Sequence, residues 1–210
     1  YFGKKSVTYF EMAEQIARLH LLFEKYGIKQ GDKIALIGRN NVNWCITYIA
    51  TITYGAVTVP ILQDFNPVDV ENIITHSESR MLFAGDTFWQ TFDSDRMPEL
   101  EAAMIVNDFS VAYEKEGDAL AQIVASWDAD FKAKYPNGFS IEDIKYPEVP
   151  NEQMILLNYT SGTTGSSKGV MLSVNNLTGN MVFGKGFMNP ETGEFFLHKH
   201  GRTLSFLPLA

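Results

Sequence analysis

Thr160-Ser161-Gly162-Thr163-Thr164-Gly165-Ser166-Ser167-Lys168-Gly169 packs three glycines, six hydroxyl residues and one lysine into ten positions. Glycine lets a backbone turn tightly and bring its N–H groups up to a ligand, and each hydroxyl adds a further donor. Lys168 adds a mobile positive charge. Convergent donors beside a cation suit a polyphosphate, whose many acceptor oxygens need as many partners. A flexible Ser/Gly linker has a similar composition. Here the apolar runs Met154-Ile155-Leu156-Leu157 and Val170-Met171-Leu172 pin both ends, which favours phosphate binding.

The segment does not fit the nucleotide-binding pattern G-x-x-x-x-G-K-[ST]. Counting back from Lys168 puts Gly162 first, but Ser167 stands where the second glycine is required. Gly169 stands where a magnesium-binding Ser or Thr is required. A loop of that type also opens directly into a helix. Here Val170 to Leu172 reads as a strand, and the next helix starts only after Ser173. The expectation is a hairpin-like flap between two strands, which removes most support for a kinase-type or GTPase-type site.

The elements that must position this flap are legible upstream. Thr8 and Glu11 form a T-x-x-E capping box, followed by the apolar stripe Met12, Ile16, Leu19, Leu22, Phe23 and Tyr26 and a stop at Gly27. Gly31-Asp32 turns the chain into a strand over Lys33 to Ile37. A helix over Val42 to Tyr54 and a strand over Ala56 to Val59 follow. Asn66-Pro67 starts another helix, and Met81 to Ala84 and Ala103 to Val106 are further strands. Asp118 to Lys134 reads as a helix with Leu120, Ile123, Val124 and Trp127 on one face. Tyr146 to Pro150 reads as an extended connector. Helices alternating with strands buried on both faces predict an α/β fold, a layered and mostly parallel sheet with flanking helices. The predicted division is a first α/β portion over residues 1–150 and a second over 151–210 that opens with the loop.

Composition narrows the function. The 210 residues carry a formal charge of −8, unevenly spread. Residues 61–150 hold 6 basic and 18 acidic groups, while 151–210 hold 4 and 3. Nucleic acid is therefore not an expected partner, and an anion near the loop meets little repulsion. A single cysteine, Cys45, excludes an internal disulfide and a cysteine-only metal cage. The uncharged run from Asn40 to Gln63 is long enough to span a bilayer, but its polar residues and the breaks at Gly55 and Pro60 favour a buried helix and strand. No transmembrane segment is expected. His198 and His200 lack acidic or cysteine partners at ligand spacing, which favours a solvated loop over a metal site. His20 and His76 read as surface or satisfied polar residues in helices. Trp44 and Tyr48, one helical turn apart, read as core, and Cys45 as a buried small hydrophobe.

With these residues in place, YTSGTTGSSKGVML resembles the phosphate-loop signature of the adenylate-forming enzymes: acyl-CoA synthetases, luciferases and peptide-synthetase adenylation domains. VTYFEMAEQIARLHLLFEKYGIKQGDKIALIGRNNVNW, IATITYGAVTVPI and LSFLPLA are collinear with other parts of that family. Three positions depart from it. Ser167 stands where Pro is frequent, Val174 where a His commonly follows the Ser or Thr, and Asn43 where Glu often precedes the Trp. The resemblance implies a layered α/β N-terminal domain and two half-reactions. A carboxylate attacks the α-phosphorus of ATP to give an acyl-adenylate and pyrophosphate; a thiol, usually CoA, then displaces AMP. It implies contacts with the β- and γ-phosphates for Thr160, Ser161, Gly162, Thr163, Thr164, Gly165 and Lys168, with Mg²⁺ shared between ATP and protein. LSFLPLA is more similar to the long-chain fatty-acid members than to those acting on acetate or aryl acids. A peptide-synthetase adenylation domain and a non-catalytic nucleotide-binding paralogue remain open alternatives.

Pro208-Leu209-Ala210 falls inside a family motif whose next residue is usually His. The resemblance therefore implies an N-terminal portion, inactive alone, whose adenine, ribose, acyl and thiolation elements lie elsewhere. A cut through a sheet would leave strand edges and apolar surface that favour homodimerisation. The expected location is cytoplasmic, with peripheral contact at the inner face of a membrane left open.

Overall fold

The computed structural model describes residues 6–160 and 168–186. Helix α1 (Tyr9–Tyr26) starts where the capping box places it. Thr8 Oγ1 accepts from the Glu11 N–H at 3.1 Å, and Glu11 Oε2 accepts from the Thr8 N–H at 2.7 Å. After β1 (Lys33–Ile37), α2 (Val42–Tyr54) is capped by Asn41, whose Oδ1 accepts from the Trp44 N–H at 2.8 Å. After β2 (Val57–Ile61), α3 (Pro67–Ser77) takes Asn66 as its cap and Pro67 in its first turn, where no N–H is needed. The chain continues through β3 (Ser79–Ala84), the short α4 (Asp86–Trp89), β4 (Ala102–Ile105), β5 (Val111–Glu114) and α5 (Ala119–Lys134). It closes with β6 (Met154–Thr160), β7 (Lys168–Ser173) and α6 (Val174–Lys185).

Among the described residues, seven strands form one sheet in the order β5-β4-β3-β1-β2-β6-β7. Its four inner pairings are parallel, and β4–β5 and β6–β7 are antiparallel. The two crossovers beside β1 lie on opposite faces. Trp44, Ile46 and Ala50 of α2 share a core with Leu19, Leu22 and Phe23 of α1. Val70, Ile73 and Ile74 of α3 share a second core with Val57, Val59, Leu157 and Tyr159. The result is a doubly wound sheet buried on both sides, whose carboxyl edge is the usual place for a ligand. Leu120, Ile123, Val124 and Trp127 of α5 all join the first core.

Some features differ from the expectation. Strand β5 was not anticipated, because its four residues are all half-buried and carry no strong alternation. Its Glu114 carboxylate accepts from the Leu120 N–H at 2.6 Å and so caps α5, whose N-terminal Asp118 makes no side-chain cap bond. Cys45 is half-buried, not buried, and the surrounding apolar material pushes its thiol pKa up. No helix among the described residues is long and apolar enough to cross a membrane. Strand β6 pairs with β2 in the same sheet as β1 to β4.

His20 ties the connector to this frame. Its Nε2 lies 3.0 Å from the Ala50 carbonyl and 3.1 Å from Thr53 Oγ1, and the rings of Tyr54 and Tyr146 meet it edge-on at 5.3 and 5.8 Å. Burial pushes its imidazole pKa down from 6.5 to about 4, outweighing the raising effect of the Ala50 carbonyl. The unfolded chain therefore takes up a proton on acidification before the folded one does. Stability is expected to fall as pH drops from 6.5 towards 4, by about 2 kcal/mol at pH 5 from this residue. Urea unfolding at pH 7 and pH 5, compared with a His20→Gln variant, should show a smaller pH dependence in the variant.

Candidate functional site

Strands β6 and β7 form the predicted hairpin. Their register places Asn158 opposite Val170, Tyr159 opposite Gly169 and Thr160 opposite Lys168. Of the candidate phosphate-binding residues, Thr160 and Lys168 are thus brought face to face at the end of the hairpin, both exposed. Directly opposed residues in an antiparallel pair project to the same side, so the hydroxyl and the ammonium share one face. Ser161, Gly162, Thr163, Thr164 and Gly165 lie outside the described residues, as do His198 and His200. The helix that follows starts at Val174, after the second strand. Ser173 stands at its head, with Oγ 3.0 Å from Asn176 Oδ1, and the Ser173 N–H also donates to that oxygen at 2.9 Å.

On the other face of the hairpin, the β6 side chains Leu157 and Tyr159 are packed into the second core. Tyr159 is only 3% exposed. Its ring lies beneath Gly169, where an added Cβ would sit 3.3 Å from Tyr159 Cζ and 3.0 Å from Leu157 Cδ1. Glycine at 169 thus serves close approach, not turning. Burial pushes the Tyr159 phenol pKa above its ordinary value. Its hydroxyl meets Nδ1 of the exposed His76 at 2.6 Å, and the two rings stand edge-to-face at 5.8 Å. His76 was expected to be a surface or satisfied polar residue on a helix, and it is exposed on α3 with its Nδ1 bonded. Its partner was not foreseeable, because 83 residues separate the two and no local pattern links them.

Below the hairpin, the chain is tied to the first strands. Gly55 ends α2 in the left-handed region, at φ 86°, and its carbonyl accepts from the Gly31 N–H at 2.8 Å and from Gln153 Nε2 at 2.7 Å. The Val174 N–H donates to the Gln153 carbonyl at 3.1 Å and the Asn175 N–H to the Asn151 carbonyl at 2.9 Å, closing the base. Trp44 is buried and stacks on Tyr48 at 5.4 Å inside the first core, as expected of core residues.

The doubly wound sheet that carries this hairpin agrees with comparison to known structures. The family model described as AMP-binding enzyme matches residues 1–210. The chain belongs to the AMP-binding enzyme family. Relatives include long-chain-fatty-acid–CoA ligase 5 of Rattus norvegicus, 28% identical over a match covering 98% of this chain and 30% of that protein. Another is the putative acyl–CoA ligase YdaB of Bacillus subtilis (strain 168), 27% identical over 81% of this chain and 31% of that protein. The chain therefore spans about a third of the length of the curated relatives it matches. The fold is also that of solved members. A long-chain-fatty-acid-CoA ligase from Archaeoglobus fulgidus aligns over 89% of this chain and 34% of its own, with a TM-score of 0.64 and 22% identity. The anthranilate CoA ligase AuaEII, solved with anthranoyl-AMP, aligns over 88% and 32%, with a TM-score of 0.67 and 18% identity.

The close approach at Gly169 has a direct test. Gly169→Val is expected to destabilise the protein by about 1–3 kcal/mol, because the new side chain must displace Tyr159 or Leu157. Val170→Thr, at a neighbouring exposed position, is expected to stay within about 0.5 kcal/mol. Thermal or urea unfolding of both variants checks the contrast.

Proposed function

We propose that this chain is part of an AMP-forming acyl-CoA synthetase that activates a carboxylic acid, with long-chain fatty acids as the favoured class. The reading is carried by the match of the whole chain to the AMP-binding enzyme family. Relatives named as long-chain-fatty-acid–CoA ligases support the acid class. The substrates are the acid, ATP with Mg²⁺, and CoA. In the first half-reaction a carboxylate oxygen bonds to the α-phosphorus while the bond from that phosphorus to the bridging oxygen breaks, and pyrophosphate leaves. In the second, the CoA sulfur bonds to the acyl carbon and AMP leaves.

Negative charge grows on the departing pyrophosphate, so groups fixed around it accelerate the first step. Thr160 and Lys168 stand opposed at the hairpin tip and are assigned to the β- and γ-phosphates. Ser161, Gly162, Thr163, Thr164 and Gly165, between them in sequence, complete the proposed donor set. The residues that act on the acyl group are not among them, and the isolated 210-residue chain is expected to form no acyl-AMP.

Carboxylate-dependent ATP–pyrophosphate exchange by the full-length protein, across acids from acetate to palmitate, tests the reading. Exchange is expected with long-chain acids, falling about 10²–10³-fold in Lys168→Ala, the range seen when one oxyanion donor is removed. ATP binding without exchange for any acid would favour a non-catalytic nucleotide-binding protein. An unchanged rate in Lys168→Ala would remove that residue from the phosphate site.

A further inference from the structure

Tyr159 is the last buried residue of β6 before the exposed Thr160. Across the ladder it faces Gly169, and Lys168 adjoins that glycine. A small rotation of the Tyr159 ring would therefore press on Gly169 and displace both strand ends. Its hydroxyl, at the far tip of the ring, is where a lateral restraint has the longest lever. The restraint present there is His76 Nδ1 at 2.6 Å. Either tautomer of the imidazole closes this bond: with its proton on Nε2, Nδ1 accepts from the phenol, and with its proton on Nδ1 it donates to the phenolic oxygen.

A restraint is only as firm as the element that carries it, and α3 is held at several points. The Asn66 side chain caps its start, with Oδ1 accepting from the Asp69 N–H at 3.0 Å. Val70, Ile73 and Ile74 are buried against the sheet. Glu71, 3% exposed, accepts from the Asp93 N–H at 2.9 Å and pairs with Arg96 Nε at 3.2 Å. Thr75 Oγ1 donates to the Arg96 carbonyl at 3.0 Å. His76 follows directly on this anchored stretch.

We infer that His76 is a positioning residue for the phosphate-binding end of the protein: by fixing the Tyr159 hydroxyl against α3, it sets where Thr160 and Lys168 stand. The inference rests on the ligase reading given above. It also makes a separable demand on stability. Because His76 is exposed, water can replace its bond to Tyr159 when the imidazole is removed, so folding loses little. What water cannot supply is a fixed direction, and that loss falls on ATP.

The experiment uses the full-length protein, with ATP–pyrophosphate exchange and thermal unfolding measured on His76→Leu, His76→Asn, Tyr159→Phe and the double variant His76→Leu/Tyr159→Phe. His76→Leu and Tyr159→Phe are each expected to raise the KM for ATP roughly threefold to tenfold, the value of one hydrogen bond. The KM for the acid and the melting temperature should stay the same. The double variant should be no worse than either single one, since both remove the same bond. His76→Asn, whose amide stands near the place of Nδ1, should recover most of the wild-type KM.

Lys168→Ala, run alongside, separates the possible failures. If Lys168→Ala is impaired while His76→Leu keeps a wild-type KM for ATP, the inference is overturned and the ligase reading stands. A fall in melting temperature with equal rises in both KM values would also overturn it, since that marks a structural role only. No acid-dependent exchange by the wild-type protein would overturn the ligase reading and this inference together.

Discussion

The pairing of β6 with β2 is the contact on which the rest of the molecule's organisation depends. Parallel neighbours cannot be joined by a tight turn, so β6 must return across the whole stretch that builds β3 to α5 before it can add to the sheet. Its recorded register places Thr58 opposite Leu156. That point precedes Pro60, which has no N–H to give a ladder. The join is reinforced from outside the strands. Gln153 donates to the Gly55 carbonyl, the same oxygen that accepts from the Gly31 N–H. One turn thereby holds the start of β1, the end of α2 and the approach to β6. Everything at the carboxyl end of β6 is placed relative to the first strands through these bonds.

Electrostatics serve the same frame at its opposite end. Arg80, at the start of β3, makes a two-pronged contact with Glu101 at 2.8 and 2.9 Å and also pairs with Asp32 in the turn before β1. These carboxylates, Glu101 foremost, raise the guanidinium pKa further above its already high value. The bonds tie the entries of three strands together and neutralise part of the acidic excess of residues 61–150 where chains converge. Such partly exposed pairs contribute modestly to stability. Their effect on register is larger, because a slip by one residue would break the fork geometry of all the contacts at once.

Much of this was legible from residue types alone. Capping residues such as Thr8 and Asn66 act locally, within three positions, so their helices could be read directly. The inner strands are buried on both faces and appear as plain apolar runs. The hairpin after Tyr159 was legible because an apolar run stood where a phosphate-binding helix would have begun. Strand β5 was not legible: its residues are half-buried at the sheet edge, and its pairing with β4 is decided by chain geometry, not composition. Nor was the contact of His76 with Tyr159, which exists only after the sheet has brought α3 beneath β6. His20 shows the same limit in milder form. Its helix was evident, but the burial that lowers its pKa comes from α2 and from the connector carrying Tyr146.

The absence of a helix directly after the loop has a physical consequence for the proposed chemistry. A loop that opens into a helix gains the aligned peptide dipoles of the first turn, equivalent to about half a positive charge aimed at a phosphate. Here β7 intervenes, and α6 begins only at Val174. The positive field at the loop must then come from individual donors and from Lys168, each of which helps only as far as its position is fixed. A hairpin transmits whatever its strands are fixed to. β7 is the last described strand of the sheet, with Val170 and Met171 exposed, whereas β6 has a strand partner on each side and a buried ring at its end. The tip of the hairpin therefore takes its position from β6, and through β6 from β2, while β7 follows.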